Sequence, residues 1–326
     1  MKLATALVLA AAYAAAQRAD WVVVEKVAGA VGFYTESGDR VAGVKVGTYP
    51  HEIVFSPDKR YAYVSDNGIL WMQYAGEGGN TISVIDLEKR TKAGVISLGN
   101  YRRPHGMAVD PRTGNLAVTI ENPDGLLLVD TKARKVIRKY DVQGEDPHMV
   151  LLDPKGEWAY VSNATTNTIA AVHLSSGQVK LIPTDKRPQG GTLSPDGKLI
   201  YMTNSDGNSI SIIDIAKQER IGTIKTGRGP GRVAVTPDGG TLVYNLQPGE
   251  GMAFADVASR REIAQIPLGG KSLSLTMSAD AKWAYVGLQE QDKIAVISVP
   301  DRKLTRIVST PKDSGPDPVV PLPNRQ

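Results

Sequence analysis

A unit that begins at a proline or its equivalent recurs at positions 50, 104, 147, 188, 230 and 272, at spacings of 54, 43, 41, 42 and 42 residues. A period of this length marks a chain assembled from self-similar supersecondary units that bury their apolar faces against one another. Each unit reads as four short strands. The third is the clearest, with HMVLLDP, EWAYVSN, TIAAVHL and QVKLIPT separated by turn residues. Four strands in forty-odd residues is the signature of a propeller blade.

The second strands are YAYVSD, NLAVTI, WAYVSN, LIYMTN, TLVYNL and WAYVGL, and the third strands include TISVIDL, GLLLVDT and SISIIDI. Together with the SPD turn at Ser56–Asp58 and the SPDG turn at Ser194–Gly197, these units resemble the YVTN family of β-propeller repeat proteins along essentially the whole mature chain. The resemblance implies the fold and leaves the activity open. Propellers of this kind include lactonase-like enzymes, cofactor-bearing oxidoreductase domains, surface-layer proteins and binding scaffolds.

Six units leave residues 18–49 over, and this piece supplies WVVVEKV, AVGFYTE and RVAGVKVG, which match second, third and fourth strands without a first. At the other end GPDPVVPLPNRQ aligns Pro316 with Pro104 and can supply the missing innermost strand. Its prolines are tolerable there because an innermost strand is an edge of its blade. The expectation is an all-β, seven-bladed β-propeller of four-stranded antiparallel blades, with the last blade closed by both termini.

The opening MKLATALVLAAAYAAA has a lysine, a short apolar run and an Ala-x-Ala pattern at Ala14 and Ala16. That is the layout of a secretory signal over 1–16, leaving 17–326 as a single domain, periplasmic or secreted, with no transmembrane segment after cleavage. With no cysteine in the chain, there is no disulfide framework and no thiolate chemistry. A net charge of +4 without a basic run makes nucleic acid an unfavoured partner.

Three of the four histidines, His51, His105 and His148, directly follow the unit-opening proline. In a four-stranded meander this slot opens the innermost strand at the mouth of the central channel. Its counterparts elsewhere are Gln189, Gly231, Leu273 and Asp317. Imidazoles on consecutive blades can converge on one ion, and three neutral histidines suit zinc, copper, nickel or iron with positions left open for water or substrate. Duplication of one unit also explains such a trio, with each ring then only capping a turn. His173 ends a third strand, on the opposite face, and is expected to be structural.

The inter-blade turns on the histidine face carry Arg102, Arg103, Lys186, Arg187, Arg228, Arg232 and Lys271, offset in part by Glu145, Asp146 and Asp185. A cationic mouth concentrates anions, and arginine matches carboxylate or phosphate with paired hydrogen bonds. Glu52 and the Glu145–Asp146 pair stand near the slot as a base or as partners of the histidines. The excess length of the first unit falls in NGILWMQYAGEGGNT, where Trp71, Met72 and Tyr74 among glycines can cover the mouth; a partner-binding loop is the alternative. No G-x-S-x-G, H-E-x-x-H, Walker or calcium-loop motif is present.

These features point to a monomeric, exported propeller that binds a small anionic ligand through Arg103, Lys186, Arg187, Gln189, Arg232, Trp71 and Tyr74. A transition metal on His51, His105 and His148 would give it hydrolase or oxidoreductase chemistry. The alternative is a non-enzymatic envelope scaffold holding a protein, glycan or nucleic acid.

Overall fold

A computed structural model describes residues 18–247 and 251–322. The signal expected over 1–16 lies outside the described residues. Among those residues the strands form seven four-stranded antiparallel sheets. The third unit is typical: Pro147–Leu152 pairs with Trp158–Asn163, which pairs with Thr168–His173, which pairs with Val179–Pro183. The last sheet joins both ends of the chain, because Pro316–Pro321 pairs with Trp21–Glu25.

Innermost strands of successive sheets pack side by side, and Pro316–Pro321 returns to Pro50–Phe55, so the series closes on itself. Apolar clusters follow the same cycle, one at each junction between neighbouring sheets. The junction between the last and first sheets buries Val22, Phe33, Ile53 and Val64. Strands two and three of each sheet are buried on both sides, which is why WAYVSN and TIAAV read as continuous apolar runs. Outermost strands alternate, leaving residues such as Ile137 and Ile221 partly exposed. This is the arrangement of a β-propeller.

The Ser or Thr in the repeated second-strand pattern has a definite job. Ser65, Thr119, Ser162 and Thr203 each accept the backbone N–H of the second residue after the proline: Glu52 at 2.9 Å, Gly106 at 2.8 Å, Met149 at 3.0 Å and Gly190 at 3.1 Å. The same hydroxyls donate to the slot carbonyl of the next sheet, from Thr119 to His148 at 2.8 Å and from Ser162 to Gln189 at 3.0 Å. Thr203 reaches the Gly231 carbonyl in the same way, and in the fifth unit Asn245 donates at 2.7 Å to the carbonyl of Ser272, the residue just before the slot. One buried side chain thus satisfies two strands and ties adjacent sheets at the channel wall.

The ladder breaks at this point in each of these sheets. Pairing shifts between Pro50 and Ile53, Pro104 and Met107, Pro147 and Val150, Pro188 and Gly191, and Pro230 and Val233. Such an irregularity re-aims the side chains it contains. The two residues after each proline are therefore the ones turned toward the channel.

Candidate functional site

His51, His105 and His148 meet at the channel mouth. Their ring centroids stand 4.6 Å apart between the first two and 4.2 Å apart between the second and third. Gly106 makes the second approach possible: a Cβ there would lie 2.5 Å from the His148 carbonyl oxygen and 2.7 Å from the Met149 Cα. Backbone rather than a flexible side chain fills that space, so only glycine lets the strands come this close.

Each ring has a partner. His51 Nε2 lies 2.7 Å from the Ile69 carbonyl, and His51 Nδ1 lies 3.4 Å from His105 Nε2. His105 Nδ1 lies 2.7 Å from Glu121 Oε1, and His148 Nδ1 lies 3.2 Å from the Gln189 carbonyl. Burial, reinforced by nearby cations and neighbouring rings, holds all three imidazoles well below the usual histidine range, so they are neutral at pH 7. Glu121 is pushed up to about 7 by burial, against the pull of Arg103, whose Nη2 sits 2.8 Å from Glu121 Oε2.

The rings line a cavity of about 210 Å³ together with Lys26, Glu52, Trp71, Arg187, Arg232 and Lys271. Gln189, Gln247, Leu273 and Asp317 complete much of the wall. Arg232 of the fifth sheet and Glu52 of the first form an ion pair across the channel. Lys26 pairs with Asp317 at 3.3 Å. Arg232 Nη1 is buried without a hydrogen-bond partner, and the Arg187 guanidinium makes no ion pair among the described residues. Burial raises the Glu52 carboxyl, with Arg232 acting against it.

The long segment of the first unit, between Tyr61–Asp66 and Thr81–Asp86, lies over this cavity. It is tied down by His51 through Ile69, by Arg103 Nη2 to the Met72 carbonyl at 2.7 Å, and by Asn67 Nδ2 to the Pro104 carbonyl at 3.2 Å. Trp71 reaches the far side, where the Lys271 and Lys26 ammonium groups lie 4.6 and 5.7 Å from its ring centroids. It is an aromatic strap held by cations.

Of the residues expected at the mouth, Arg187, Gln189, Arg232, Trp71 and the three histidines line the cavity. Arg103 does not: Glu121 and the Met72 carbonyl draw its guanidinium behind His105. Lys186 is exposed on its turn, and Tyr74 is 53% exposed and points away from the wall. His173 sits apart, edge-on to Trp158 at 4.7 Å. Sequence reasoning missed Lys26, Glu121 and Gln247. All three occupy one repeat position, the residue after the second-strand partner of the unit-opening proline, shared with Asn67 and Ala164. Aligning the ends of the second strands would have exposed this second ring of side chains around the mouth.

As the rings stand, no group of three or more histidine, cysteine, aspartate or glutamate side chains among the described residues is placed to hold a metal ion. No described helix is long and apolar enough to cross a membrane.

No family model and no curated protein matches the sequence. Solved structures do match in fold. The chain is similar to the periplasmic gluconolactonase PpgL of Pseudomonas aeruginosa, with 15% identity over 94% of this chain and 99% of that one and a TM-score of 0.75. It is similar to the dihydro-heme d1 dehydrogenase NirN in complex with DHE, with 14% identity over 94% and 77% of the two chains and a TM-score of 0.67. It is also similar to Kuenenia stuttgartiensis hydrazine synthase, with 20% identity over 80% and 86% of the two chains and a TM-score of 0.68. At these identities what is shared is the β-propeller fold.

Proposed function

We propose that this chain is an exported, seven-bladed propeller of the YVTN type that binds a small organic anion, a carboxylate, in the cavity at its channel mouth. The observation that carries this reading is the unspent arginine capacity inside that cavity. Four cations line it against two carboxylates, Arg232 Nη1 is buried without an acceptor, and Arg187 is free of any ion pair among the described residues. A buried donor left unmade costs about 1–3 kcal/mol, which a bound carboxylate oxygen would recover. Neutral histidines add no charge but offer acceptor or donor nitrogens to hydroxyl groups on the ligand, as do Gln189 and Gln247. The volume is below the range of drug-sized pockets, which suits a metabolite of modest size.

PpgL, by its name, acts on a lactone of a sugar acid. Gluconate is therefore the first ligand to try and glucono-lactone the first substrate. Titration calorimetry with gluconate in chloride-free buffer should give one site per chain in the wild type. Arg187→Gln should weaken it by about 10- to 100-fold, the worth of one charge-assisted hydrogen bond. Arg187 is the residue to change because it takes part in no ion pair, so its loss leaves the Arg232–Glu52 bridge in place. If gluconate and other small carboxylates bind wild type and Arg187→Gln equally, the anion reading is wrong. Hydrolysis of the lactone beyond its spontaneous rate, lost in the same variant, would make the site catalytic.

A further inference from the structure

The partners of the three histidines fix which ring nitrogens bear protons. The Ile69 and Gln189 carbonyls can only accept, so His51 carries its proton on Nε2 and His148 carries its proton on Nδ1. The Arg103 guanidinium on Oε2 favours the carboxylate form of Glu121, whose Oε1 then accepts from His105 Nδ1. In neutral rings this leaves a bare lone pair on His51 Nδ1, His105 Nε2 and His148 Nε2. In this tautomer two of these nitrogens, His51 Nδ1 and His105 Nε2, face each other with their lone pairs at 3.4 Å. Nitrogens bound about 2.05 Å from one tetrahedral ion are separated by about 3.4 Å. The back nitrogen of every ring is engaged by a carbonyl or carboxylate, the pattern that orients histidine ligands in metal centres.

We propose that His51 Nδ1, His105 Nε2 and His148 Nε2 bind one borderline transition-metal ion at the channel mouth, with Glu121 positioning His105. The three donors do not yet surround one point. Closing the set takes a movement of His148, whose tether to Gln189 at 3.2 Å is the longest of the three carbonyl or carboxylate contacts. Three neutral nitrogens leave the fourth position open. The inference deepens the anion reading, since a carboxylate oxygen held by Arg187 and Arg232 would complete the ion's coordination and offset its charge beside four cations.

The test uses full-length mature protein without an affinity tag, stripped with chelator and titrated with Co²⁺ at pH 8, followed by visible absorption and by metal analysis after desalting. Wild type is expected to take up one equivalent and to develop the intense bands of tetrahedral cobalt. His51→Gln, His105→Gln and His148→Gln should each lose tight uptake, and Glu121→Gln should weaken it by about 10- to 100-fold without changing the stoichiometry. Thermal melts identify any variant that fails to fold, and the wild-type titration stands without them. Wild type that takes up no cobalt, or folded single variants that bind as wild type does, would overturn the proposal. Gluconate calorimetry on the stripped protein keeps the two readings apart. Binding without any cobalt site leaves the anion pocket standing and removes the metal, whereas a cobalt site that carboxylates never influence removes their link.

Discussion

Acidification of the metal-stripped protein should destabilise it before its surface carboxylates titrate. His51, His105 and His148 are buried and held neutral in the fold, with folded-state values well below the ordinary 6.5. A depressed histidine contributes stability that is full above the unfolded value, near 6.5, and is lost as the pH falls below it, because the unfolded chain takes up protons that the fold refuses. From pH 7 to pH 5 this amounts to at most about 2 kcal/mol per histidine, or about 6 kcal/mol for three. Glu121 acts in the opposite direction. Its value of about 7 lies above the unfolded one, so the fold gains protons first and recovers about 2 kcal/mol over the same interval. Asp124, raised to about 6 by burial, recovers about 1 kcal/mol more after solvent screening, and the raised Glu52 and Asp66 carboxyls add to that recovery. The net expectation is a loss of no more than about 3 kcal/mol, read as the shift in urea-unfolding free energy at pH 7, 6 and 5 with chelator present. Stability that stays level or rises across this interval would mean that the histidines are not buried neutral groups, and the account of the mouth would fail with it.

Three further outcomes follow from the channel wall. Gly106→Ala forces a Cβ against the His148 carbonyl and Met149 Cα, and should cost about 1–3 kcal/mol of unfolding free energy while weakening ligand uptake at the mouth. Thr119→Val keeps the shape but strips the link between Gly106 N–H and the His148 carbonyl, and should cost about 1–3 kcal/mol in urea unfolding. Arg232→Met strands Glu52 in the cavity and should destabilise by about 3–5 kcal/mol, with much of that loss restored in the double variant that also carries Glu52→Gln; a double variant no better than the single one would contradict the cross-channel pair.

The repeat made the architecture legible because each level of it is local: a proline, a hydroxyl on the neighbouring strand, and alternating or continuous apolar runs that give each strand its depth. Closure by the C-terminal strand was legible too, since the first 50 residues lack one strand and Pro316 supplies it. The histidine trio followed from counting positions after each proline. What escaped depends on side-chain direction at irregular backbone. Arg103 has a left-handed φ of 55° and turns toward Glu121, whereas Arg187, with φ of 59°, has no such acid beside it and stays in the cavity. Tyr74 and Trp71 belong to the same loop, yet only Trp71 finds lysines to sit against. Lys26 and Gln247 were hidden because a two-residue break in pairing after Pro316 and Pro230 sets which second-strand residue reaches the mouth.

Diffraction from crystals grown or soaked in sodium bromide, with the halide located by its anomalous signal, shows whether the mouth receives anions. A bromide peak is expected inside the cavity, within contact of Arg187 and Arg232. Bromide found only on the outer surface, with none between those two guanidinium groups, would contradict it.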